Sequence, residues 1–179
     1  MLARGVAEAG RALGGEAARL AVHVKGLDPA GYEPRACQGM ALAYATSNRG
    51  ACHLRAMMHV PELLQKLLNP YTLSGKAAVV VQLQDLMAVV DSLVMCKFVA
   101  RYGFDNSLEK LGEALDAVTG WGLDAGELAR VGERTYNLER LFNVRAGFKR
   151  DCDTLPLRFF AEAIAVGPSA GVRLRREEF

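Results

Sequence analysis

Apolar residues recur along this chain at helical spacing, and strand-like alternation is nearly absent. Residues 3–21, rich in Ala, Arg and Glu, read as a helix weakened at Gly14 and Gly15. Val22, His23 and Val24 then lead an extended segment into a loop carrying Gly26, Pro29, Gly31 and Pro34. Residues 39–47 form a short apolar helix, and 47–53 a turn. Pro61 suits the first position of a short helix bearing Leu63, Leu64, Leu67 and Leu68, which Pro70 ends. Residues 74–102 read as the longest element, apolar on most sides and therefore a central, buried helix. Asn106 or Ser107 caps the next helix, in which Leu108, Leu111, Leu115 and Val118 share a face and Gly120 is the stop. Asp124 and Glu127 have capping-box spacing ahead of a long amphipathic helix. There Leu128, Val131, Leu138 and Phe142 are expected to face inward, with Arg130, Glu133, Arg134 and Glu139 in water. A last helix is expected after Pro156, and Trp121 reads as a packing anchor. The fold class is all-α, multihelical with irregular loops, and 1–179 reads as a single domain.

Composition narrows the function. Half the residues are hydrophobic (51%) and 23% are charged, so general disorder is excluded. A formal net charge of +2 gives no broad field for nucleic acid. Gln82, Gln84, Asp85 and Asp91 interrupt the longest apolar stretches, so no membrane span is expected. The opening residues lack a signal-peptide core, which makes the cytoplasm the expected location. Cys37, Cys52, Cys96 and Cys152 lie far apart, which fits neither a zinc module nor a disulfide framework. No GxGxxG, P-loop, nucleophile elbow or HExxH occurs.

Two constellations could carry chemistry. On a helix over 74–102, Gln84, Asp85, Ala88, Asp91, Ser92, Met95 and Cys96 fall within a wedge of about 140°. An unpaired carboxylate in an apolar interior costs several kcal/mol, so Asp91 must meet a cation, hydrogen-bond donors or a ligand. Either these are satisfied core polar groups, or the stripe faces a ligand with Cys96 one turn beyond Ser92. The second constellation is 46–55, where Arg49 and Arg55 flank His53. Arginine offers a bidentate fork for phosphate or carboxylate, and histidine exchanges a proton near neutral pH. The same residue types also make an ordinary solvated turn. His59, ahead of Pro61, has no partner in view, and the 149–154 run reads as a turn.

Three blocks, in order, carry a family resemblance: VKGLDPAGYEPRACQGMALAYATSNRGACHLRA, LQDLMAVVDSLVMCKF, and ERTYNLERLFNVRAGF followed by DTLPLRF. Together they are similar to the C-terminal region of the aldehyde ferredoxin oxidoreductases, tungsten enzymes with a bis-pterin cofactor and a [4Fe-4S] cluster. The family's D-x-x-G-L-C motif corresponds here to Asp91, Ser92, Leu93, Val94, Met95 and Cys96. The resemblance implies that Asp91 is a pterin-binding carboxylate, that Met95 lies beside the cofactor, and that Cys96 is a cluster thiolate. Val94 stands where the motif has glycine, so positive φ or close cofactor approach is disfavoured there. The resemblance further implies that His53 relays a proton near the metal, with Arg49 and Arg55 meeting pterin phosphate or ring groups.

What is implied overall is oxidation of aldehydes to carboxylic acids, with electrons passing to ferredoxin. Relatives of this type are several times longer, and both the tungsten (or molybdenum) bis-pterin and the cluster would need the N-terminal part that this sequence lacks. The expectation is therefore a piece cut at both ends, or one gene product of a split enzyme, inactive alone and partnered by the missing region. The competing expectation is a non-catalytic helical interaction module on the same scaffold.

Overall fold

A computed structural model describes residues 2–179, and the described chain is helical without a named strand. It groups into two compact units, residues 1–80 with 148–179, and residues 81–147.

In the first unit the expected helix over 3–21 is two helices, α1 (Val6–Leu13) and α2 (Gly15–Leu20). Gly14 and Gly15 sit at φ of 68° and 52°, so the pair breaks the helix rather than merely weakening it. Val24 and Leu27 exchange both backbone hydrogen bonds at 3.0 Å across Lys25 and Gly26, each at positive φ, a two-residue reversal of the primed-turn kind. The short apolar helix is α3 (Gln38–Thr46), with Gln38, Gly39, Met40, Ala41, Ala43, Tyr44 and Ala45 buried. A helix covered on nearly every side is a core helix, and α3 fills that role in this unit. The expected helix after His59 is a five-residue π turn, Val60–Leu64. After Pro156 only α8 (Arg158–Ala161) forms.

Charges of opposite sign hold the two ends of α3. At its start Gly39 N–H (2.8 Å) and Met40 N–H (3.0 Å) donate to the Glu62 carboxylate, as does the Cys37 thiol (2.9 Å). Lys76 pairs with Glu62 and donates to Asn69 O at 2.5 Å. At its end Lys25 Nζ donates to Ala45 O (2.6 Å) and Ser47 O (3.1 Å) and pairs with Asp153 at 2.8 Å. An anion at the start and a cation at the end both complement the helix dipole.

α4 (Lys76–Ser92) runs from the first unit into the second. The expected single helix over 74–102 does not form. α4 stops at Ser92, α5 (Lys97–Phe104) begins four residues later, and the two axes meet at 107°. No single described helix is long and apolar enough to cross a membrane. The longest helix is instead α7 (Ala125–Arg145), opened by the anticipated capping box between Asp124 and Glu127. Before it, α6 (Leu108–Thr119) is capped by Ser107 and stopped by Gly120 at φ 69°, also as anticipated.

α7 packs backbone to backbone on α4, because a Cβ on Gly132 would stand 2.3 Å from Asp85 O. Beyond that contact the inward-facing expectation holds for Leu128 and fails for Leu138 (65% exposed) and Phe142 (72%). On the second half of α7, Leu138, Leu141 and Phe142 are all exposed. Trp121 is 68% exposed, so it does not anchor helices; it lines a cavity of 690 Å³ with Leu115, Leu123 and Arg134.

Candidate functional site

The acid-to-thiol stretch is the break between α4 and α5. Leu93 N–H still bonds Val89 O at 2.9 Å, and Val94 and Met95 turn back with N–H bonds to Asp91 O (3.0 Å) and Val90 O (3.1 Å). These closing bonds require a left-handed residue, and Val94 supplies it at φ 53° with its side chain 92% exposed. The expectation that valine disfavours positive φ here is overturned in outcome, though the strain of a β-branched residue there is real. The break stands in place of the expected polar stripe on a buried helix. Asp91 is exposed, not interior, and its Oδ1 pairs with Lys97 Nζ at 2.6 Å. Lys97 also donates to Met87 O at 2.8 Å, which ties α5 back to α4.

Cys96 is the N-cap residue of α5 and is exposed. Its side chain makes no capping hydrogen bond. The Val99 and Phe98 N–H groups nevertheless favour the thiolate and draw the thiol below its ordinary 9.0. Met95, half-buried, lies between acid and thiol. The other cysteines differ: Cys37 and Cys52 are buried, and burial followed by the Glu62 contact pushes the Cys37 thiol far up.

The second constellation is the loop leaving α3. Ser47 ends the helix, Arg49 N–H bonds Ser47 Oγ at 3.2 Å, and Gly50 lies at φ 90°. A Cβ on Gly50 would come 2.5 Å from Val24 O, so only glycine lets this loop press against the Val24–Leu27 reversal. Arg49 is exposed, whereas His53 and Arg55 are half-buried. Burial, then the Arg49 charge, hold the His53 imidazole below its ordinary 6.5. His53 therefore stays neutral and basic at pH 7.

Asp91, Met95 and Cys96 are thus brought together at one helix break in the second unit. Arg49, His53 and Arg55 are brought together in one loop of the first. Sequence reasoning missed two rings beside His53. Tyr32 lies 5.7 Å from it and His59 lies 6.0 Å from it, with His59 stacked on Tyr32 at 4.4 Å. Tyr32 lies before α3 while His53 and His59 follow it, so no local spacing signals the cluster. Among the described residues no group of three or more His, Cys, Asp or Glu side chains converges to hold a metal ion.

Comparison with known proteins places this all-helical chain in an oxidoreductase family. The family is that of the aldehyde ferredoxin oxidoreductases, for the family model described as "Aldehyde ferredoxin oxidoreductase, domains 2 & 3" matches residues 1–179. The chain is 38% identical over 164 residues to a tungsten-containing aldehyde ferredoxin oxidoreductase of Pyrococcus furiosus, covering 89% of this chain and 26% of that protein. A protein of the same description from Thermococcus kodakarensis is 36% identical over 159 residues, 87% of this chain and 26% of that one. For Pyrococcus abyssi the figures are 36% over 151 residues, 82% and 24%. The chain spans about a quarter of the length of these curated relatives.

Proposed function

We propose that this chain is the C-terminal helical part of a tungstopterin oxidoreductase that oxidises aldehydes to carboxylic acids and passes the electrons to ferredoxin. In this reading it works with the remaining polypeptide, inactive alone, in the cytoplasm. The observation that carries the proposal is the α4–α5 break, which presents a thiol of lowered pKa at a helix start a few residues after an exposed carboxylate. A cluster ligand must be deprotonated and reachable, and Cys96 is suited to both needs. A [4Fe-4S] cluster takes four thiolates, so Cys96 fits the role of one ligand, with the others coming from outside this chain. Asp91, accessible beside Lys97, fits a carboxylate that accepts hydrogen bonds from a pterin, and half-buried Met95, four residues on, fits a residue beside the cofactor.

Bound in the assembled enzyme, a tungsten (or molybdenum) bis-pterin would supply oxygen-atom transfer and two-electron chemistry, and the cluster an exit for electrons. This chain's residues handle charge and protons. Converting an aldehyde and water to a carboxylate releases protons, and the neutral His53 imidazole takes one up at a ring nitrogen. Arg49 and Arg55 offer planar cations to pterin phosphate or ring oxygens.

The test is co-expression of this chain with the rest of the enzyme, followed by iron, tungsten and activity measurements. Cys96→Ala is expected to lower iron content. His53→Gln is expected to keep both metals and lose most of the turnover, since a positioned general base contributes about 10²–10⁴-fold. Iron content unaltered by Cys96→Ala would remove the cluster assignment. A second reading, a non-catalytic helical interaction module, is favoured by the exposed apolar side chains of Phe98, Tyr102, Leu138 and Phe142. Full metal loading with no aldehyde oxidation would support it.

A further inference from the structure

We propose that His59 is a positioning residue: its buried ring, stacked on Tyr32, holds together with Tyr32 the orientation of the His53 imidazole. This rests on the reading of His53 as the residue that handles the proton.

Three observations carry it. First, His59 is only 5% exposed, and its ring lies nearly flat on Tyr32, with centroids 4.4 Å apart and planes at 22°. A ring held face to face at that distance limits tilt in a way that an aliphatic side chain of equal volume does not. Second, Tyr32 meets His53 at 5.7 Å and 46°, while His59 meets His53 at 6.0 Å and 58°. The three rings thus form a triangle, with Tyr32 and the sealed His59 both lying against the half-buried His53. Third, both stacked rings sit on anchored backbone. His59 heads the π turn whose Glu62 caps α3, and Tyr32 follows Ala30, whose carbonyl accepts from Tyr44 Oη on α3 at 3.3 Å. The loop bearing His53 leaves the other end of α3, so the rings brace a loop that is also fixed at Ser47 and Gly50.

The surroundings explain what bracing achieves. Arg49 on its own loop, Tyr32 and His59 are the ionisable groups identified beside His53, and burial outweighs Arg49 in keeping the imidazole neutral. Loss of the stack admits water and weakens that burial.

The experiment is NMR titration of the histidine ring resonances in the 179-residue chain, with ring-to-ring contacts between His53 and Tyr32 read from nuclear Overhauser effects. In His59→Leu, which keeps volume without a flat face, the His53–Tyr32 contacts are expected to weaken and the His53 midpoint to rise toward 6.5. In His59→Phe, which keeps the face, both are expected to stay as in the native chain. Should His59→Leu fail to fold, Tyr32→Leu removes the other half of the stack and is expected to give the same rise. Contacts and midpoint unmoved by the leucine substitution that folds, or moved as far by His59→Phe, would overturn the proposal. Either result leaves the catalytic assignment of His53 standing, because that is read separately from turnover of His53→Gln in the assembled enzyme.

Discussion

Val94 is the residue at which backbone and side chain disagree most openly. A left-handed conformation at a non-glycine residue costs about 1–2 kcal/mol, and a β-branched side chain in open solvent has no contact to offset it. Val94→Gly is therefore expected to raise the stability of the chain by about 1 kcal/mol in urea denaturation, after allowing for the freedom glycine gains when unfolded. Val94→Ala relieves less, because its Cβ keeps the clash. Cys37 supports a pH prediction of definite sign. Burial and the Glu62 carboxylate raise its folded pKa above the unfolded 9.0. The folded chain thus binds this proton more tightly, and stability present below 9.0 declines as pH rises beyond it. Between pH 7 and pH 9.5 this group alone is expected to cost about 0.8 kcal/mol by linkage, a loss that Cys37→Ala should lack in paired urea titrations. Cys96 behaves oppositely. Iodoacetamide is expected to alkylate it first among the four cysteines, at a pH below the usual thiol range, as peptide mass mapping can show.

Among the elements, those defined by local chemistry were readable from the sequence, and those that depend on distant contacts were not. The Asp124–Glu127 capping box, the Ser107 cap and the Gly120 stop each involve side chains within one turn of the backbone they satisfy. The break after Ser92 has no proline or glycine to announce it, and apolar neighbours on either side, among them Val89, Val90, Leu93, Met95, Phe98 and Val99, kept the helical period running through Val94. The same blindness hid α3 as the core helix of its unit, because a nine-residue run apolar on every side has no periodicity to read. The two candidate constellations were each legible as short segments. The rings of Tyr32 and His59 beside His53 were not, since only the tertiary fold assembles them. Gly132 is another such position, where a helix-tolerated glycine conceals an inter-helix approach. Gly132→Ala is expected to destabilise the chain by about 1–3 kcal/mol, the usual range for overpacking, in denaturant titration. A surface glycine such as Gly126, whose added Cβ would meet nothing closer than 3.3 Å, makes the control.

On the scale of the whole molecule, a chain with modest net charge displays large apolar side chains from its helices. Phe98 and Tyr102 on α5, with rings 6.3 Å apart and nearly parallel, and Leu138, Leu141 and Phe142 on α7 are all exposed. Such surface on a separately produced chain promotes self-association. Sedimentation velocity is expected to show association that grows with concentration, and paired Leu138→Glu and Phe142→Lys substitutions are expected to suppress it. Retention of the association in that double variant would place the sticky surface elsewhere.

The opposed charges that hold α3 also separate two kinds of ion pair by their response to salt. Glu62 with Lys76, and Lys25 with Asp153, lie where counterions cannot reach them, whereas Arg11 with Glu8 and Arg175 with Glu178 stand in solvent. Raising the ionic strength dissolves the outer pairs and leaves the inner ones intact. The loop that carries Arg49 and His53 springs from the inner pairs, so its shape is set to endure in brine.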